Sequence, residues 1–254
     1  MNEPHFELDL HVHTSAGSPC SVLDVGDLAS RALELKLPVV AVTDHGSLEG
    51  VRALRTELAG TPVRVIAGME VTTDHGDFLV FALEDKLLEV ERAVSTGERR
   101  FRALRDAGLL SVDDLVIWAH PWSAGASGAH PPDSFPKEEL SEIIACLSAV
   151  EGVNGVNLPY DHISSYPHPF ESPNLWACLF AGEVGLPVTC GSDAHEISAF
   201  WMVPSVFSRP VASCHDLHKA VREGGIVDTT DRYFGPNWRE RAARLERPEA
   251  GFFG

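Results

Sequence analysis

Short apolar runs alternate along the chain with stretches in which apolar residues recur every three or four positions. The runs at Phe6 to His13, Val39 to Thr43, Val63 to Val71, Phe78 to Leu83, Leu115 to Ala119, Val153 to Leu158, Val188 to Cys190 and Val203 to Phe207 read as strands. Between them, "VGDLASRALEL", "SLEGVRALRTELA", "LEVERAVSTGERRFRALRDAG", "KEELSEIIACLSAV", "LWACLFAGEVG" and "HDLHKAVREGG" carry the helical period. Such alternation predicts an α/β fold built on a parallel sheet or barrel. No fixed-period repeat or linker divides the chain, so one domain over residues 1–254 is expected, with a peripheral tail from about residue 236 where "NWRERAARLERPEAGFFG" turns charged.

Polar residues interrupt this pattern at the strand ends. In the first run, Asp9, His11 and His13 fall on one face of an extended chain, while Leu8, Leu10 and Val12 fall on the other. Later runs end in "TDH" (Asp44, His45), "GME" (Glu70), "AHP" (His120) and "GSDAH" (Asp193, His195). In a parallel barrel the C-terminal strand ends open onto one face, which would gather these residues into one pocket. A single strand-end histidine is ordinarily a hydrogen-bonded structural residue, and an isolated His-x-His pair is ambiguous. Five such motifs together are hard to explain by core packing, because buried ionisable groups need partners or a metal. His5, His215 and His218 lie in terminal or helical contexts and read as surface residues.

Composition narrows the chemistry. With 44% hydrophobic residues among 254, the chain can bury a sizeable core, and a formal charge of −17 argues against non-specific binding to nucleic-acid phosphates. An anionic substrate would then need local positive charge, which metal ions can supply. The five cysteines, Cys20, Cys146, Cys178, Cys190 and Cys214, lack any paired spacing, so neither a disulfide framework nor a thiolate zinc motif is indicated. No signal-like start and no apolar run approaching the ~18 residues of a membrane span is evident, so a soluble cytoplasmic protein is expected.

The motifs "DLHVHT", "TDH", "GME", "AHP" and "GSDAH", in this order, resemble those of the polymerase and histidinol phosphatase (PHP) superfamily. The resemblance implies a distorted (β/α)7 barrel that carries two or three divalent metal ions and hydrolyses a small phosphomonoester or short nucleotide. It implies that His11, His13 and Asp193 hold a first metal, that Glu70 bridges it to a second completed by His120, and that His45 and His195 serve a third. Asp193, His45 and His195 are then the candidate catalytic residues, with the two histidines able to protonate a leaving group or grip the phosphate where the third metal is missing. Two departures from the pattern stand out. Relatives carry an acidic residue where this chain has Ser18, so the third site should be weak or empty and Ser18→Asp should strengthen it. Asp77, with His75 as the looser alternative, replaces a histidine expected after the bridging Glu70. The implied donors are nitrogen and oxygen, so Zn²⁺, Mn²⁺ and Fe²⁺ all suit them.

Substrate contacts are expected in the two long loops "PWSAGASGAHPPDSFP" and "PYDHISSYPHPFESPN", where Trp122, His130, His162 and His168 are candidates beside Tyr160 and Tyr166. The expected partner is a small phosphorylated molecule, with oligomeric state left open. Two other readings compete: a metal-dependent amidohydrolase, which would need a metal-bridging Lys although Lys86 and Lys137 lie beside helices, and a non-catalytic metal-binding module.

Overall fold

The computed structural model describes residues 5–123, 130–158 and 173–242. Among the described residues, ten strands form three hydrogen-bonded groups. β1 (Phe6–Leu8), β9 (Ser205–Phe207) and β10 (Ile226–Val227) make an antiparallel trio, and β2 (Val39–Val42) pairs in parallel with β3 (Arg64–Ala67). The largest sheet runs β4 (Met69–Thr73), β5 (Gly76–Phe81), β6 (Leu115–Trp118), β7 (Ala149–Asn154) and β8 (Val188–Gly191). Its first two junctions are antiparallel and its last two parallel, which corrects the expectation of an all-parallel arrangement. The cause is local: only Asp74 and His75 separate β4 from β5, and a link that short can only reverse the chain. The single run expected over Val63 to Val71 is divided at Gly68, where a β-carbon would strike Phe81 and Thr43.

Helices α1 (Val25–Glu34), α2 (Glu49–Glu57), α3 (Glu84–Ser95), α4 (Phe101–Asp106) and α5 (Lys137–Ile144) follow β1, β2, β5 and β6, and helices Pro173–Val184 and Cys214–Arg222 follow later strands. The long helical stretch expected after Leu88 breaks into α3 and α4 across Gly97, whose φ of 92° suits a residue without a β-carbon. The stretch "KEELSEIIACLSAV" likewise stops at Ile144, and its last two residues already belong to β7.

Strand alternation divides the interior into two layers. Val40, Val42, Phe78, Val80, Val116 and Trp118 pack into one cluster with α1 to α5, whereas Val39, Ala41, Leu79, Phe81, Leu115 and Ile117 pack into a second with Leu8, Leu10 and helix Cys214–Arg222. Both faces of these strands are therefore buried, and the strand ends are where polar side chains can reach solvent. Backbone bonds continue past the named strands: Ala194 N donates to His11 O at 3.3 Å, His13 N to Ala194 O at 2.9 Å and Thr43 N to Val12 O at 2.9 Å, while His45 bridges Glu70. These bonds bring the ends of β8, β2 and β4 around the segment after β1. Among the described residues no helix is long and apolar enough to cross a membrane.

Candidate metal centre

β1 ends at Leu8, so His11 and His13 stand on an irregular continuation that makes one isolated bridge, Val12 to Ala194. The expected alternation fails there: Leu8 and Leu10 join one core and Val12 the other. Asp9 does not face the histidine pair. Its carboxylate accepts Ser192 N at 2.9 Å and Trp201 N at 3.0 Å, fastening this segment to the loop after β8. Burial raises the Asp9 pKa to about 6 despite these bonds, and with both carboxylate oxygens taken by backbone N–H groups Asp9 acts as a structural tie.

Glu70 is the hub. Its Oε2 lies 3.3 Å from His11 Nε2, 3.1 Å from His13 Nε2 and 3.0 Å from His45 Nδ1, and its Oε1 lies 3.1 Å from His120 Nε2. Asp193 closes the other side, with Oδ1 3.1 Å from His13 Nε2 and 3.5 Å from both His11 Nε2 and His195 Nδ1. The expected residues His11, His13, His45, Glu70, His120, Asp193 and His195 thus converge. Asp77 joins them, because Asp77, Glu70 and His120 each offer a donor atom within 4.8 Å of the others. His75 points elsewhere, its two nitrogens each 2.6 Å from a carboxylate, Asp74 and Glu139. Two of the converging residues adopt left-handed backbone, His120 at φ 29° and Asp193 at φ 53°, a conformation that costs a non-glycine residue about 1 kcal/mol and recurs where function fixes a side chain.

The donor atoms fit a metal better than they fit one another. His11 Nε2, His13 Nε2 and Glu70 Oε2 are buried and make no aligned hydrogen bond, an expensive state for polar atoms out of water. Burial opposes protonation of His11, but the carboxylates of Asp193, Glu151 and Glu70 outweigh it and raise its pKa well above the ordinary value. The same contest lifts His13 to about 8 and His120 to about 9, in both cases through Glu70 and Asp193. Conversely, burial resists ionisation of Glu70 and Asp193, yet the surrounding imidazoles, His11 foremost, hold both carboxyls well below the usual range. A cation bound here would compete with protons for the same donor atoms.

One participant escaped the reading of the sequence. Glu151, 1% exposed on β7, takes His11 Nδ1 at 2.9 Å through one oxygen and His120 N at 3.0 Å through the other. Asn154 Nδ2 links Glu151 to Asp193, at 3.0 and 3.3 Å. Gly191 makes room for this pair, since a β-carbon there would collide with both the Glu151 carboxylate and His11.

Ser18 and Asp44 lie behind His13 and His45. Ser18 is buried and donates to Asp44 Oδ1 at 2.8 Å, while its oxygen accepts His45 N at 3.0 Å and meets His13 Nδ1 at 3.2 Å. Asp44 is further occupied by Thr14 N at 2.6 Å and Thr14 Oγ1 at 2.8 Å. Both residues brace the ligands from behind, so neither can complete a third metal site at the rim. The rim itself consists of His45 and His195, with side chains 35% and 33% exposed, and of Cys20, whose sulfur lies 3.2 Å from His195 Nε2.

Of the expected substrate contacts, His130 lines a small cavity with Asp77, Trp118, His120 and Ser123, whereas the Trp122 ring packs edge-on against Phe180 at 5.7 Å. His162 and His168 lie outside the described residues, as do Tyr160 and Tyr166. Lys86 pairs with Asp114 at 2.8 Å.

A mixed α/β fold with its carboxylates and imidazoles gathered at strand ends defines the class, and comparison with known proteins identifies the family. Residues 9–122 match the PHP domain and residues 171–226 match the segment described as PHP-associated. The chain carries a PHP domain, and the two matches contain His11, His13, His45, Glu70, Asp77, His120, Asp193 and His195. A 67-residue stretch is 33% identical to the 5'-3' exoribonuclease Rnm of Escherichia coli, covering 26% of this chain and 22% of that protein. Another of 69 residues is 30% identical to the PolC-type DNA polymerase III of Thermotoga petrophila, covering 27% of this chain and 5% of the polymerase. The matched stretch therefore spans less than a quarter of either relative. PsfC from Pseudomonas syringae shares the fold along nearly the whole chain, with a TM-score of 0.58 at 15% identity over 96% of this chain and 97% of that one.

Proposed function

We propose that this protein is a metal-dependent phosphoesterase that hydrolyses a small phosphomonoester or a short nucleotide. The observation that carries the reading is the Glu70 carboxylate, buried among four imidazoles, with its Oε2 and the Nε2 atoms of His11 and His13 making no aligned hydrogen bond. The backbone bonds joining β8 to His11 and His13, and these in turn to β2, support a distorted (β/α)7 barrel as the frame.

His11, His13 and Asp193 would hold one divalent ion, and Asp77 and His120 a second, with Glu70 between them. When bound, the ions supply Lewis acidity: they polarise phosphoryl oxygens and acidify water near neutral pH. The protein residues do the remainder. Glu151 fixes the His11 ring so that Nε2 faces Glu70, and through His120 N it steadies the strained turn that aims that ring. While no third ion occupies them, His45, a third exposed and beside Glu70 Oε2, and His195, beside Asp193, would be free to give a proton to the leaving oxygen or to grip the phosphate. His130, at the cavity beside Asp77, is placed to contact the esterified group.

The test is hydrolysis of a phosphate-ester panel, from sugar phosphates to short oligonucleotides, by protein loaded with Mn²⁺ or Zn²⁺, beside an amide and lactone panel. Phosphate release that chelation abolishes and metal restores supports the proposal. Turnover confined to amides or lactones overturns it.

A further inference from the structure

His13, His45 and His195 each offer a ring nitrogen within 4.8 Å of the other two, on the solvent side of the Glu70 hub. All three are neutral when they ligate, so a dication among them needs an additional anionic donor to be held well. Ser18 cannot provide it, because its hydroxyl is committed to Asp44. Two buried atoms without an aligned partner, His13 Nε2 and Glu70 Oε2, border this group from within. Cys20 borders it from outside, with Sγ 3.2 Å from His195 Nε2.

The tautomer agrees. His195 Nδ1 donates to Asp193 O at 2.9 Å, which leaves the lone pair on Nε2, the atom that faces sulfur. On a tetrahedral ion with bonds of roughly 2.0 Å to nitrogen and 2.3 Å to sulfur, the two donors stand about 3.5 Å apart. The observed spacing needs an adjustment of only a few tenths of an ångström, within the reach of an exposed cysteine.

We propose that Cys20 is a ligand of a third metal ion, shared with His195 and His45, and that its thiolate replaces the carboxylate this position would otherwise use. On binding, the thiol proton passes to solvent and sulfur donates a lone pair to the cation; no group is oxidised or reduced. A thiolate also biases this position toward zinc over manganese or magnesium. The inference rests on the metal centre proposed above and adds sulfur to a ligand set otherwise made of nitrogen and oxygen.

The test is loading of the full chain with Co²⁺, followed by absorption spectra and metal counting. Wild type should develop the near-ultraviolet sulfur-to-cobalt charge-transfer band. Cys20→Ser should lose the band and bind the last ion at least about 10-fold more weakly, whereas Cys214→Ser should keep both. Cys20→Asp should regain the ion without the band. Cobalt bound by wild type with no such band, or a band that persists in Cys20→Ser, overturns the role of Cys20 while leaving the Glu70 centre standing. Failure to bind cobalt at all overturns both proposals together.

Discussion

Glu151 Oε1 and His11 Nδ1 meet at 2.9 Å, both side chains fully out of solvent, and this contact sets which nitrogen of the ring His11 turns toward Glu70. Replacing the carboxylate by an amide keeps the volume but lets the side chain present its NH₂ to the ring, so the tautomer with a lone pair on Nε2 is no longer enforced. Glu151→Gln should fold and should bind its tightest metal about 10- to 100-fold more weakly. Titration with a competing chelator measures this directly, and unchanged affinity would show that the contact does not orient the ligand.

Glu70→Gln removes the one negative charge that lies against His11, His13, His45 and His120 at once. Two cations at this hub would then repel with nothing between them. The variant should keep its circular dichroism spectrum, bind fewer ions per chain than wild type and lose phosphoesterase activity. Wild-type turnover at full metal loading would remove Glu70 from the bridging position.

Stability of the metal-free protein should depend on pH in a particular direction. His13 and His120 are raised to about 8 and about 9 from an ordinary 6.5, so the folded state binds protons more tightly than the unfolded chain. That contribution is complete below pH 6.5 and is lost as pH rises through 8 and 9. In chelator, the melting temperature should therefore fall over this window, by roughly 2–4 °C for each kcal/mol lost. With metal present the trend should weaken or reverse, since deprotonated imidazoles ligate better. A flat metal-free profile would mean that these imidazoles are not proton-bridged to Glu70 and Asp193.

His11, His13, His45, Glu70, His120, Asp193 and His195 were legible because each follows an apolar run, where a polar side chain demands a reason, whereas Asp77, near the start of its strand, was indicated only by the family resemblance. Glu151 was not, for it sits inside the run Ala149–Asn154, whose first residues read as the tail of the preceding helix. An acidic residue within a wholly buried strand was the available signal. The antiparallel turn at Asp74 and His75 was present in the sequence as a short polar pair before Gly76, yet the neighbouring apolar runs suggested parallel strands. The roles of Asp9 and Asp44 depend on contacts with Trp201, Ser192, Thr14 and Ser18, and no local pattern encodes distant partners of that kind.

Ser18 offers the sharpest contrast between the two levels. From the sequence, Ser18→Asp should restore a missing metal ligand and strengthen a third site. In the fold, Ser18 Oγ already lies 2.8 Å from Asp44 Oδ1 and is buried, and Asp44 accepts from Thr14 as well. A second carboxylate at that point would face the first with no cation between them, and His45 N and His13 Nδ1 would lose the hydroxyl oxygen that braces them. Ser18→Asp should therefore destabilise the protein by about 3 kcal/mol, the scale of a buried charge left uncompensated, and should loosen His13 and His45 rather than add a ligand. Ser18→Ala removes the brace without adding charge and should cost less, about 1–2 kcal/mol. Denaturant unfolding of both variants without metal, beside zinc titration of each, decides between the readings: Ser18→Asp that is as stable as wild type and binds an additional ion would return Ser18 to the metal site.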